Sequence, residues 1–230
     1  MLSAKMEDYL KAVYEAQREG DEPVSTSEIA EMLDVTPPTV TSMVEKLEER
    51  ELVEREKYKG VRLTTEGETV ALEVVRHHRL LETYLTEQLG YDWAAVHDEA
   101  DRLEHHISEE FERRVADALG DPTVDPHGDP IPDDSLQPVD ETGSTLSEFE
   151  EGATVVVTRV RDRDPEELAY LDDAGITPGT QLTIAEVPPI GMVTVELGTG
   201  DHVSLPDEIA RTIFVEREDE TPEYGEVADA

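Results

Sequence analysis

Residues 25–64 read STSEIAEMLDVTPPTVTSMVEKLEERELVEREKYKGVRLT, and the order of signals in this stretch decides the fold. Ser25 or Thr26 stands where a helix N-cap belongs, with Glu28 just inside and Ile29, Ala30 and Leu33 forming one apolar face. Asp34-Val35-Thr36 reads as a turn. Thr36 then predicts the N-cap of another helix, with Pro37 at the first helical position, where its missing N–H costs nothing. Val40, Met43, Val44 and Leu47 follow i, i+3, i+4, i+7 and carry that helix to about Arg50. Two extended runs, 52–56 and 60–64, are joined by Lys57-Tyr58-Lys59-Gly60. Upstream, Tyr9, Leu10, Val13 and Tyr14 give residues 4–19 a helical stripe, which Gly20 and Pro23 end. The pattern is a helix, a helix–turn–helix and a β-hairpin wing.

A recognition helix buries one face on its partners and leaves the other for the major groove. The free face here carries Thr36, Pro38, Thr39, Thr41, Ser42 and Lys46, mostly small residues able to approach base edges and phosphates. The wing carries Arg55, Lys57, Lys59 and Arg62, the densest basic cluster of the chain. A small helical domain with a merely solvated charge run would explain the charges but not the order of elements. Double-stranded DNA is therefore the expected partner.

The overall charge points the other way. The 230 residues hold 57 acidic and 19 basic side chains, a net of −38, which ordinarily repels nucleic acid. An acidic disordered chain would show no clear periodicity. This one does, and only five of its basic residues are Lys, so the composition is read as that of a folded protein from a salty cytoplasm, such as that of a halophilic archaeon. At about 1 M salt the Debye length is ~3 Å and acidic surfaces repel little. Residues 1–65 carry a net of −6 and residues 66–230 a net of −32, which leaves the DNA-facing surface in the N-terminal part.

Beyond the wing, Thr65 is expected to cap a helix from about Glu66 to Leu89, ended by Gly90, and a second helix is expected from about Trp93 to Leu119. Two long amphipathic helices after a winged helix suit a homodimerisation unit, and two-fold symmetry suits a palindromic operator. Residues 120–147 are rich in Pro, Gly and Asp and lack periodicity. Five strand-like runs then follow (154–160, 181–186, 192–197, 202–205 and 212–216) with one short helix at about 165–173. The expected fold class is α+β. A winged helix–turn–helix spans 1–65, a helical dimerisation and metal-binding domain 66–140, a linker 141–150, an SH3-like small β-barrel 151–217 and an acidic tail 218–230. No stretch approaches the roughly 18 apolar residues of a membrane span, and no signal-peptide core is present, so a cytoplasmic protein without a membrane partner is expected. There is no Cys, hence no thiolate metal site and no cysteine nucleophile.

Five of the seven histidines cluster, at positions 77, 78, 97, 105 and 106. Asp101, Glu104 and His105 are spaced to share a helix face, with His97 one turn earlier, and His78 and Glu82 are an i, i+4 pair. Asp8 adds a carboxylate among core-facing positions of the first helix. In a chain this acidic, any single carboxylate or His is better read as a solvated charge or a satisfied polar group. The clustering of a rare residue brings a metal site level with that reading.

The strings MEDYLKAVYE, SEIAEMLDVTPPTVTSMVEKLEERELV, RHHRLLETYL, VHDEADRLEHHISEEFERRV and DPHGDPIP resemble the diphtheria toxin repressor family of iron- and manganese-responsive regulators. The resemblance runs from about residue 1 to 217 and covers the long, three-domain form. It implies a primary metal site at Asp8, Asp101, Glu104 and His105 and an ancillary site at His78, Glu82 and His97, to which Asp164 and Glu167 would add oxygen ligands. Iron-responsive members carry Met and Cys at the positions of Asp8 and Asp101. The hard oxygen ligands here resemble manganese-responsive members instead and suit Mn²⁺, with Fe²⁺ as the alternative cofactor. Lys11 stands where some manganese-responsive members place a Glu ligand, so the ancillary-site layout of the long members fits better than a paired-manganese one.

The expected function is a metal-activated DNA-binding transcriptional regulator, a repressor of metal-uptake genes. A winged-helix regulator with a structural or vestigial metal site, controlled by another ligand, is the alternative. A metalloenzyme is disfavoured, because no separate nucleophile, general base or phosphate loop accompanies the cluster.

Overall fold

The computed structural model describes residues 2–18, 23–56, 59–138, 143–161, 164–188 and 191–218. Lys57 of the wing and nearly all of the acidic tail lie outside them. The chain divides into two compact units: residues 1–90, 98–125 and 130–141 form one, and residues 91–97, 126–129 and 142–230 the other.

The first unit opens with α1 (Ala4–Arg18), α2 (Thr26–Met32) and α3 (Pro37–Glu48). Ser25 caps α2, its hydroxyl accepting from the Glu28 N–H at 3.1 Å. Thr36 makes no such bond. Its hydroxyl pairs with that of Thr39 at 2.9 Å, and Pro37 at the helix start supplies no N–H to cap. Leu10, Ile29, Val40 and Leu47 are fully buried where α1, α2 and α3 meet. β1 (Val53–Glu56) and β2 (Gly60–Leu63) pair antiparallel as the wing, with Val24 bridged to Val61 as a third short rung.

α4 (Thr65–Leu89) starts one residue earlier than expected, because Thr64 rather than Thr65 is the cap and accepts from the Gly67 N–H at 3.0 Å. Gly67 is required there. A Cβ at this position would lie 1.9 Å from the Leu52 carbonyl oxygen, so only glycine lets the helix start so close to the wing. Gly90, in the left-handed conformation, ends the helix.

The single helix expected from Trp93 to Leu119 is two. α5 (Val96–Leu103) stops, and α6 (Glu109–Leu119) begins after Ser108, whose hydroxyl accepts from the Phe111 N–H at 3.3 Å. Three acidic residues in the first turn of α6 favour a new N-terminus there. Glu104 and His105 therefore lie in the turn after α5, not on its face.

The second unit is a six-stranded antiparallel sheet in the order β3-β8-β4-β5-β6-β7, made of β3 (Ser144–Thr145), β4 (Thr154–Val160), β5 (Gln181–Glu186), β6 (Met192–Leu197), β7 (His202–Pro206) and β8 (Ile213–Arg217). One strand more than expected is present, the two-residue β3. Val155, Val157, Leu182, Ile184, Val195 and Leu205 alternate inward to form the core, closed by α7 (Pro165–Asp173) and the single turn α8 (Asp207–Ala210). Trp93 donates its indole N–H to the Pro126 carbonyl, and the ring of the fully buried His127 lies tilted against it, 4.9 Å between centroids and 45° between planes. No helix of the described residues is long and apolar enough to cross a membrane.

Candidate metal centre and nucleic-acid interface

Three parts of the first unit converge on one acidic cluster. α1 brings Glu7, Asp8 and Lys11; α4 brings His78 and Glu82; α5 and the turn after it bring Asp101, Glu104 and His105. Asp8, Glu104 and His105 each offer a ligand atom within 4.8 Å of the others. The His105 ring lies between α1 carboxylates, with Nε2 2.7 Å from Asp8 Oδ1 and Nδ1 2.8 Å from Glu7 Oε2. Glu104 is buried and central: Oε2 is 2.6 Å from His78 Nδ1, and Oε1 is 3.3 Å from His105 Nε2. His78 Nε2 turns the other way, to Glu82 Oε1 at 3.0 Å, and Glu82 is fully buried.

Asp101 is brought to the same place but leans elsewhere. Its Oδ1 is 3.2 Å from His78 Nδ1 and 3.0 Å from Lys11 Nζ. Lys11 also donates to Glu104 Oε2 at 2.9 Å. Sequence reasoning noticed Lys11 only as a departure from a ligand pattern. Its contacts, across 90 and 93 positions of chain, left no local signal. Glu7 and Asp125 were missed as well. Asp125 is a buried carboxylate with an oxygen within 4.8 Å of one on Glu82, facing Arg79 at 3.8 Å. His97 lies in the first turn of α5, one turn before Asp101. In the second unit Asp164 caps α7, its Oδ1 accepting from the Glu166 and Glu167 N–H groups, so that oxygen already has a structural task.

The electrostatics of the cluster are those of crowded charge. Burial lifts the Asp8 carboxyl above its ordinary value, partly offset by His105. Burial would also raise Glu104, but the His78 hydrogen bond and the Lys11 ammonium outweigh it and hold the carboxyl below the usual range. Desolvation would depress His78, yet Glu82, Asp101 and Glu104 push it well above the ordinary imidazole value. Carboxylates this close stay ionised together only beside positive charge; otherwise one of them takes up a proton. Two to three carboxylates with an imidazole are a hard donor set that fits a divalent first-row ion.

The proposed DNA face is open. Thr36, Pro38, Thr39, Thr41, Ser42 and Lys46 are all exposed on α3 and its cap. Three of the wing cations, Arg55, Lys59 and Arg62, are held by acids of the same domain. Arg55 is 2.6 Å from Glu48 and 3.6 Å from Glu45, while Lys59 and Arg62 share Glu56 at 3.1 and 3.0 Å.

A winged helix whose first helix is bound by carboxylates and imidazoles to a helical domain defines a metal-responsive DNA-binding regulator. Family models agree along the chain. Residues 1–61 match the iron dependent repressor N-terminal DNA binding domain, residues 64–133 its metal binding and dimerisation domain, and residues 144–217 the FeoA domain. The iron-dependent repressor IdeR of Mycobacterium tuberculosis is 35% identical over 223 residues, covering 92% of this chain and 96% of that one. The diphtheria toxin repressor of Corynebacterium glutamicum is 35% identical over 221 residues, covering 92% and 95%. A solved manganese-dependent transcriptional repressor in complex with manganese superposes with a TM-score of 0.86 at 38% identity, covering 92% of this chain and 99% of that one. The manganese regulator SloR gives 0.78 at 34%, covering 93% and 98%. The chain belongs to the iron-dependent repressor family, that of the diphtheria toxin repressor, and is a metal-dependent DNA-binding transcriptional regulator.

Proposed function

We propose that this chain acts in the cytoplasm as a homodimeric repressor of metal-uptake genes. It would take Mn²⁺ as its activating ion, with Fe²⁺ as the alternative, and bind a palindromic operator. The domains would be those read from the sequence, with 1–65 on DNA and 66–140 carrying metal and dimer contacts. Asp8, Asp101, Glu104 and His105 would hold the primary ion. His78, Glu82 and His97 would serve the ancillary site, with Asp164 and Glu167 as its further oxygen donors. Thr36, Pro38, Thr39, Ser42, Lys46, Arg55, Lys57, Lys59 and Arg62 would meet the operator.

The observation that carries this reading is the convergence of Asp8 with His105 and Glu104, because it joins the first helix of the DNA-binding domain to the turn after α5. A bound divalent ion supplies positive charge that offsets the crowded carboxylates. Asp8 then fixes where α1 sits, and α1 packs on α2, α3 and α4. The recognition helix is thereby oriented from a site it does not touch. Such coupling works only through tighter metal binding by the DNA-competent arrangement. All-oxygen and imidazole donors favour Mn²⁺ over softer ions, although the Irving–Williams order lets Co²⁺ or Zn²⁺ bind more tightly in vitro. The test is operator binding titrated against Mn²⁺, Fe²⁺, Co²⁺ and Zn²⁺ in multimolar KCl. Stimulation at low micromolar Mn²⁺ is expected, and metal-independent affinity would overturn the reading.

A further inference from the structure

Lys11 sits one turn after Asp8 on α1, so that helix presents both a carboxylate and an ammonium to the cluster. Its side chain is only 13% exposed, with Nζ 3.0 Å from Asp101 Oδ1 and 2.9 Å from Glu104 Oε2. In the same cluster five carboxylates, Glu7, Asp8, Glu82, Asp101 and Glu104, meet His78 and His105. We propose that Lys11 is the resident counter-cation of the primary site. Its ammonium holds the Asp101 and Glu104 oxygens in the metal-free chain and gives them up when a divalent ion binds. The inference rests on the reading of this cluster as the metal site.

The argument is one of competition for the same lone pairs. Buried carboxylates without a positive partner are costly, so the metal-free fold needs a cation here. Lysine side chains carry a positive charge at neutral pH, and this one reaches both the Glu104 and the Asp101 oxygens at salt-bridge distance. A divalent ion bound to Glu104 and Asp101 would lie close to that ammonium and be repelled by it unless the side chain swings away. Lys11 thus stabilises the metal-free state and weakens metal binding through the same two contacts. An ordinary salt bridge joining α1 to α5 would act differently. Its loss would loosen the fold and leave metal affinity unchanged or lower.

The test compares full-length wild type, Lys11→Met, Lys11→Gln and Lys11→Arg, all stripped with chelator and held at one KCl concentration. Mn²⁺ affinity is read by calorimetry and stability by denaturant unfolding with and without Mn²⁺. Lys11→Met should unfold at lower denaturant without metal and bind Mn²⁺ roughly tenfold more tightly, or ~1.4 kcal/mol. Lys11→Arg should keep the wild-type affinity or weaken it. Lys11→Gln keeps donors without the charge and should also bind more tightly, which covers the case in which Lys11→Met does not fold. Unchanged or weaker Mn²⁺ binding by the neutral variants overturns the proposal, as does equal tightening by Lys11→Arg. If wild type and Asp8→Ala take up Mn²⁺ alike, the site assignment itself fails, and the Lys11 proposal falls with it.

Discussion

His105 Nε2 lies 2.7 Å from Asp8 Oδ1, across 97 positions of chain. This contact ties the first helix of the DNA-binding domain to the turn that follows α5. Asp8→Ala or His105→Ala should abolish metal-stimulated operator binding, with far-ultraviolet circular dichroism and dimer mass unchanged. Mobility-shift titration with Mn²⁺ checks it, and a wild-type response by either variant would remove these residues from the site.

Metal preference should follow donor softness. Asp8→Met combined with Asp101→Cys replaces two oxygens by sulfur and should move activation from Mn²⁺ toward Fe²⁺ or Co²⁺. Operator binding at matched free-metal concentrations gives the Mn²⁺/Fe²⁺ activation ratio, which should fall; an unchanged ratio would show that these two positions do not set selectivity.

Among the described residues of the wing, Lys59 and Arg62 pair with Glu56, and Arg55 with Glu48. Glu56→Gln should therefore tighten binding to operator and random duplex by a similar few-fold factor, because phosphate contacts carry no sequence information. Thr39→Ala or Ser42→Ala should instead change sequence preference. For wild type, affinity should depend weakly or inversely on KCl, since screening of a −38 chain opposes counterion release. A steep fall with KCl in fully folded protein would contradict the halophilic reading.

Glu112 accepts from His77 and Arg76, and the His77 hydrogen bond is the main reason its carboxyl lies below the usual range. A lowered folded-state value means that Glu112 contributes stability above its unfolded value and loses it as pH falls through the folded one. Glu112→Gln should cost ~1–3 kcal/mol at neutral pH, and the gap to wild type should begin to narrow as pH falls below the ordinary Glu value of about 4.3. Denaturant unfolding in chelator from pH 3 to 8 reads this directly. A gap that persists unchanged at pH 3 would assign the cost to packing.

Gly67→Ala should destabilise the first unit by ~1–3 kcal/mol, because the added Cβ would collide with the Leu52 carbonyl. Thermal unfolding checks it, and a neutral outcome would mean that the wing and α4 separate easily.

Much of this fold was legible because periodic apolar residues and caps act locally. The stripe Val40, Val44 and Leu47 is buried as its spacing predicts, and Gly90 ends α4 as read. The α5–α6 break was not legible from Gly or Pro, since neither occurs between Leu103 and Glu109. Ser108 followed by Glu109 and Glu110 was the available signal, hidden by an apolar rhythm that continues across it. Glu104 and His105 nevertheless reach the cluster, because the turn after α5 keeps them near Ala100 and Leu103 through the Glu104 and His106 N–H bonds. Lys11 against Glu104 could not be read at all. Nothing in either neighbourhood marks a contact that exists only once α1 packs against α4.

The length of α4 has a mechanical consequence. This 25-residue rod begins at the wing, with Gly67 pressed on Leu52, and carries His78 and Glu82 in its second half. About 20 Å of helix separates Thr65 from His78, at 1.5 Å per residue. Close-packed interiors transmit strain rather than absorb it, so an ångström of adjustment beside His78 would reach the wing as a change of aim. The DNA-reading surface is in this sense the far end of a lever whose fulcrum is the packing of Leu72 and Val75 against the first helices.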